Sequence, residues 1–302
     1  MIAPRSLRAD QLVLSHFSLE RSHPIDDRIS AAATAGFAGI GLFAGQFVQL
    51  REGGFSIDRL RDLLDESDVC LAEIEVLEGW GAAEPTEDYR AFESVVWELV
   101  DAFESRYVQA IGPYEGTIAD AAERFGDVCD RAADHGAVVG LEFLPFTNIV
   151  DARDALAIVE AAGRANGGVC VDIWHHARGA GDLDLIRAIP SELIVGVQMS
   201  DGSIEPAMED YKDDCLRHRV APGEGEFGAV EFVRTLIDLG VDVPWSLEVC
   251  NDDAWGRPAA AHVRRVADAM RHVLAEARAA STWPGDATDT DPVDPPIIEE
   301  TP

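Results

Sequence analysis

The sequence predicts an α/β protein built as a single (β/α)8 TIM barrel. Three observations lead there. About eight short apolar segments run along the chain, and helical patterns separate most of them. Together they span about 280 residues, which suits a fold that typically takes about 250. The first segment is followed by SHFSLERSHP, where a doubly wound open sheet would carry a Gly-rich phosphate loop.

Taken in order, the strand segments are LVLSHFSL from Leu12, GIGLF from Gly39, VCLAEIEVL from Val69 and YVQAIG from Tyr107. Then come VVGLEFLP from Val138, GVCVDI from Gly168, LIVGVQMS from Leu193 and VPWSLEVC from Val243. Helical periodicity runs over 57–66, 88–104, 118–135, 152–162 and 229–239, and a last helix covers about 258 to 280. The barrel therefore occupies residues 1–280. The remainder, 281–302, is rich in Pro, Asp and Thr, has no apolar period, and is expected to be disordered.

Composition narrows the function. The chain of 302 residues has 47% hydrophobic residues, enough for a sizeable core. Its net charge of -32 repels phosphate backbones and anionic lipid surfaces, so neither nucleic acid nor a membrane is an expected partner. No apolar run approaches the roughly 20 residues of a membrane span, and the N-terminus does not read as a signal peptide. The five cysteines are scattered without a CxxC pair, which fits reduced thiols in a cytoplasmic protein. Nothing in the sequence conflicts with a homo-oligomer.

The chemistry is expected where strands end, at the C-terminal mouth of the barrel. The fifth to eighth strands end in Glu142, Asp172, Gln198 with Asp201, and Glu248. Side chains alternate along a strand, so if Glu142, Asp172, Gln198 and Glu248 face inward, so do Gly140, Cys170, Gly196 and Ser246. All four are small, and the flanking outward positions are all apolar. Burying three carboxylates together without counter-charge costs several kcal/mol each. One divalent cation removes that cost, and an all-oxygen ligand set of Glu142, Asp172, Gln198 and Glu248 favours Mn²⁺ or Mg²⁺.

The motifs LEF, VDxxH, VQxSDG, RVAPGEGE and SLEVxND, in this order, resemble the sugar phosphate isomerase/epimerase superfamily, the xylose isomerase-like barrels. The likeness runs from about residue 11 to 278. It implies a metal held by Glu142, Asp172, Gln198 and Glu248, with Gln198 standing where His is commoner. A Gln there, and SLEVCND, are similar to the superfamily's 3-dehydroshikimate dehydratase-like members. The resemblance implies an enzyme that removes a proton next to a carbonyl on an unphosphorylated sugar, polyol or related keto compound, giving isomerisation or epimerisation. Glu142 and Glu248 would stand on opposite faces of the substrate. The alternative is a lyase, a metal-dependent dehydratase of a keto-cyclitol or 3-dehydroshikimate-like acid. A third reading is a non-catalytic barrel within a larger complex.

His175, three residues past Asp172, is a candidate acid/base group or substrate contact, whereas His176 reads as structural. Arg217 or Arg219 is expected to bind the substrate, and His16 and Trp80 to line the pocket. The single lysine, Lys212, lies in an acidic run, which argues against Schiff-base chemistry. The acidic loops after strands seven and eight argue against a phosphorylated substrate.

Overall fold

The computed structural model describes residues 7–281. Of the expected disordered tail, all but Ser281 lies outside the described residues. Eight parallel strands close into one barrel in sequence order. They are β1 (Leu12–Leu14), β2 (Gly39–Phe43), β3 (Cys70–Leu77), β4 (Tyr107–Ile111), β5 (Val138–Glu142), β6 (Gly167–Asp172), β7 (Ile194–Met199) and β8 (Trp245–Leu247). Closure is direct, with β1 pairing both β2 and β8.

Helices cover the outside. Between the first four strands run α1 (Ile25–Thr34), α2 (Ala44–Glu52), α3 (Ile57–Ser67) and α4 (Glu87–Phe103). Then follow α5 (Ile118–Asp134), α6 (Ala152–Ala162), α7 (Ile173–Arg178) and α8 (Leu183–Arg187). The last four are α9 (Tyr211–Arg217), α10 (Ala229–Leu239), α11 (Asp252–Trp255) and α12 (Ala259–Ala280). Their starts are capped as the sequence dictates. Thr117 and Asp120 form a reciprocal capping box on α5, and Ser56, Thr86 and Asp151 accept backbone N–H groups on α3, α4 and α6. Among the described residues no helix is long and apolar enough to cross a membrane.

The outward positions of the last four strands form the strand-to-helix core. Leu141, Phe143, Val171, Ile173, Val197, Met199, Leu247 and Val249 are all buried. The inward layer explains the small residues. Tyr107, at the start of β4, reaches across the barrel interior. A methyl group added at Gly140 or Gly196 would lie 2.4 Å or 2.2 Å from its hydroxyl. Those two strands carry glycine because one aromatic ring fills their share of the layer. Above this layer the interior turns polar.

Candidate functional site

Each of the last four strands delivers one polar side chain to the mouth. Glu142 is the last residue of β5, and Asp172 ends β6. Gln198 is next to last in β7, in register with both Asp172 and Ser246. Glu248 follows β8 directly, its backbone N–H donating to the Met199 carbonyl at 3.0 Å. All four are buried. Asp172 does two jobs, because its Oδ1 also caps α7 by accepting the Trp174 N–H at 2.6 Å. The helix therefore begins at the strand end and turns His175 back over the barrel mouth.

His175 Nε2 lies 3.4 Å from Glu142 Oε1 and 3.7 Å from Asp172 Oδ2. Glu142 Oε1 has no hydrogen-bond partner. Ligand atoms of Glu142, Asp172 and His175 all lie within 4.8 Å of one another. Two carboxylate oxygens and one imidazole nitrogen, one oxygen unpartnered, are a donor set that fits a divalent cation. Gln198 and Glu248 complete the rim. Gln109 of β4 ties the group together, its Nε2 donating to Glu142 Oε2 at 2.6 Å and to Gln198 Oε1 at 3.2 Å.

Electrostatics follow from burial. The Glu142 carboxyl is pushed well above the usual range by desolvation and by the charges of Asp172 and Glu248. Glu248 is pushed up to about 7 by burial, with Arg219 opposing. His175 is pushed down to about 3 by burial, so its imidazole is neutral. β3 contributes two further buried acids. Glu75 accepts from Ser15 Oγ at 2.9 Å and from the His16 N–H at 3.0 Å. Ser15 Oγ also lies 3.5 Å from Glu248 Oε2. Glu73 accepts from Ser246 Oγ at 2.8 Å.

Of the expected ligands, Glu142 and Asp172 converge, with His175 rather than Glu248 as the third member; Glu248 is held by Arg219 Nη2 at 3.1 Å, and Gln198 is linked to Glu142 through Gln109. The structure departs from the other expectations. Arg219 is fully buried and already occupied within the protein. Its Nη1 donates to Asp172 Oδ2 at 2.9 Å, its Nη2 lies 3.1 Å from Glu248 Oε1, and its Nε donates to the Cys215 carbonyl. It is a counter-ion for the acids before it is a substrate contact. Arg217 points away and pairs with Asp213 and Asp252 at the surface, because α9 turns it to solvent. Trp80 is a core residue. Its Nε1 donates to the Ile111 carbonyl and its ring packs edge-on against Phe125. His16 does lie beside the site, and His176 packs on Phe232.

Sequence reasoning missed Gln109 as a site residue, Glu73, and Tyr211, whose hydroxyl sits 2.7 Å from His175 Nδ1. The first two had a readable signal. In AEIEV and YVQAI, polar residues alternate with apolar ones, as in the last four strands.

Residues 29–275 match the model of the family described as xylose isomerase-like TIM barrel. Over 160 residues the chain is 31% identical to a 3-dehydroshikimate dehydratase of Pseudomonas aeruginosa, covering 53% of this chain and 24% of that protein. The match thus spans about a quarter of the relative's length. Among solved structures, a xylose isomerase-like TIM barrel/4-hydroxyphenylpyruvate dioxygenase fusion protein superposes with a TM-score of 0.80 at 20% identity. That match covers 92% of this chain and 45% of the fusion. The probable 3-DHS dehydratase AsbF of Bacillus anthracis superposes with a TM-score of 0.69 at 17% identity, over 86% of this chain and 98% of that one.

Proposed function

The chain belongs to the xylose isomerase-like TIM barrel family, and on that footing we propose that it is a divalent-metal-dependent dehydratase of a 3-dehydroshikimate-like keto acid. The observation that carries the reading is the buried convergence of Glu142, Asp172 and His175, a metal-competent triad with a neutral imidazole at its edge. The likeness to a 3-dehydroshikimate dehydratase favours elimination over epimerisation. The tying of Glu248 to Arg219 favours it as well, since epimerisation needs a free carboxylate on each face of the substrate.

Glu142, Asp172, Gln198 and Glu248 would hold the ion, with His175 beside them. When bound, a Mn²⁺ or Mg²⁺ ion supplies Lewis-acid stabilisation of the oxygen that becomes negative. The residues supply the rest. His175, neutral at Nε2, accepts the proton from the carbon next to the carbonyl. Its Nδ1 is held by Tyr211, which fixes the ring. The proton taken by His175 is returned to the departing hydroxyl. One C–H and one C–O bond break, one C=C bond forms, and water leaves. Five cysteines without disulfides are in keeping with a reducing, cytoplasmic setting.

Incubating the Mn²⁺-loaded protein with 3-dehydroshikimate should give a conjugated, ultraviolet-absorbing product. Deuterium wash-in from solvent without loss of water would instead support the epimerase reading, for which Glu142 and Glu248 on β5 and beyond β8 would be the two faces.

A further inference from the structure

Resting on the reading above, the substrate is an acid, and a barrel mouth lined with carboxylates repels acids. Its carboxylate needs a cation that the protein has not already paired. Most guanidiniums near the mouth are occupied. Arg219 serves Asp172 and Glu248, and Arg178 serves Asp214. Arg28 serves backbone carbonyls.

Arg21, in the loop after β1, differs. Among the described residues it makes a cation–π contact, its Cζ 4.8 Å from the Phe43 ring centroid, and no ion pair. Phe43 is the last residue of β2, so this contact sits on the rim of the mouth. The His16 ring stands 6.0 Å from the same Phe43 ring. His16 is 2% exposed, and its Nε2 has no hydrogen-bond partner. Through its backbone N–H on Glu75, and Ser15 between Glu75 and Glu248, this corner borders the catalytic group.

The loop that displays Arg21 is rigid for a physical reason. Arg28, buried beneath it, donates to the carbonyls of His16 at 2.9 Å, Leu19 at 3.1 Å and His23 at 3.0 Å, and to that of Glu20. A single guanidinium thus ties residues 16–23 together and adds its own positive charge beneath them.

We infer that Arg21, with His16, forms an anion subsite at the β1–β2 rim that takes the carboxylate of the substrate and sets the enzyme's preference for acids. A guanidinium presents the planar fork that a carboxylate accepts. A competing cation is Lys212, on α9 after β7, 4.9 Å from the Phe146 ring centroid. It sits among Asp210, Asp213 and Asp214, whose charges offset it.

The test uses the full chain loaded with Mn²⁺. KM for 3-dehydroshikimate is measured in wild type, Arg21→Gln and Lys212→Gln. Calorimetric titration compares 3,4-dihydroxybenzoate with catechol, the same ring without the carboxylate. Arg21→Gln should raise KM and weaken the benzoate about 10- to 100-fold while moving catechol by less than about 3-fold. Lys212→Gln should do neither. Equal losses for benzoate and catechol, no loss for benzoate, or the full effect in Lys212→Gln would overturn the assignment. If the wild type does not turn over 3-dehydroshikimate, the proposed reaction fails, and the benzoate–catechol comparison still decides the subsite.

Discussion

Glu73 offers a measurement of what burial does inside this barrel. Its side chain is 6% exposed, and its one neutralising contact is the hydroxyl of Ser246. Desolvation pushes its carboxyl from 4.5 up to about 7. The folded state therefore keeps a proton that the unfolded chain releases above pH 4.5. Between those limits the unfolded state binds fewer protons, so stability falls as pH rises. The contribution is fully present below pH 4.5 and is lost as pH passes about 7. At about 1.4 kcal/mol per pH unit the whole effect is roughly 3 kcal/mol, without a discount for solvent because the group is buried. Glu73→Gln keeps a hydrogen-bonding partner for Ser246 and removes the titration. Urea unfolding of both proteins in EDTA, from pH 4.5 to 8, should show the variant gaining about 3 kcal/mol on wild type across that range. Parallel stability curves for the two proteins would refute the reasoning, since the Glu73 carboxyl is the group that the substitution removes from titration.

Four other outcomes follow from the geometry. Glu142→Gln should weaken Mn²⁺ binding by about 10- to 100-fold and remove activity, with the circular dichroism of the metal-free fold unchanged. Full activity with metal added would remove the mechanism. Gln198→His should retain Mn²⁺ binding by calorimetry, and its loss would count against Gln198 as a ligand. Gly196→Ala sets a methyl 2.2 Å from the Tyr107 hydroxyl, so a cost of about 1–3 kcal/mol is expected, read as a lower Tm. An unchanged Tm would mean that Tyr107 moves aside freely. Asp214→Ala strands Arg178 in a pair whose side chains are 8% and 3% exposed, and should cost about 3–5 kcal/mol. Arg178 also holds the Ser203 and Ile204 carbonyls, so protease cleavage should rise in 203–210, and an unaltered digestion pattern would count against that anchoring.

The barrel was legible because its elements carry their own periods. GIGLF, the helix from Ala152 and the helix from Ala229 begin and end where the patterns do. The eighth strand was read too long. Only Trp245–Leu247 is strand; Glu248 keeps one bond to Met199, and beyond it the Cys250 carbonyl accepts from the Arg219 N–H instead of a neighbouring strand. No helical period marks the stretch after Asp172 in the sequence. It is a helix, since a strand-end acid that caps a helix has no separate turn signal. Strand-end acids are found by counting residues, but the partner of a charge is not. Whether Arg217 or Arg219 turned inward depended on the register of α9, which a seven-residue helix does not reveal. Trp80 follows β3 at the mouth, yet its indole found a carbonyl inside the wall.

The charges at the mouth constrain what the barrel does. Glu73, Glu75, Glu142, Asp172 and Glu248 are all buried, while the one fully buried guanidinium at the mouth, Arg219, pairs with only Asp172 and Glu248. Without another cation, protons must make up the difference, and the raised carboxyls of Glu73, Glu75 and Glu142 express that. Those three do not share one remedy. Glu73 and Glu75 each face a serine hydroxyl, of Ser246 and Ser15, that can accept the proton of the neutral acid, so both can rest protonated beneath the site. Glu142 keeps an oxygen with no donor at all, facing a neutral imidazole. A proton on that oxygen would have to be shared with His175 Nε2, 3.4 Å away, the atom the proposed reaction needs as its base. An unpartnered oxygen beside Asp172 and His175 is instead the arrangement in which a divalent cation relieves three groups at once.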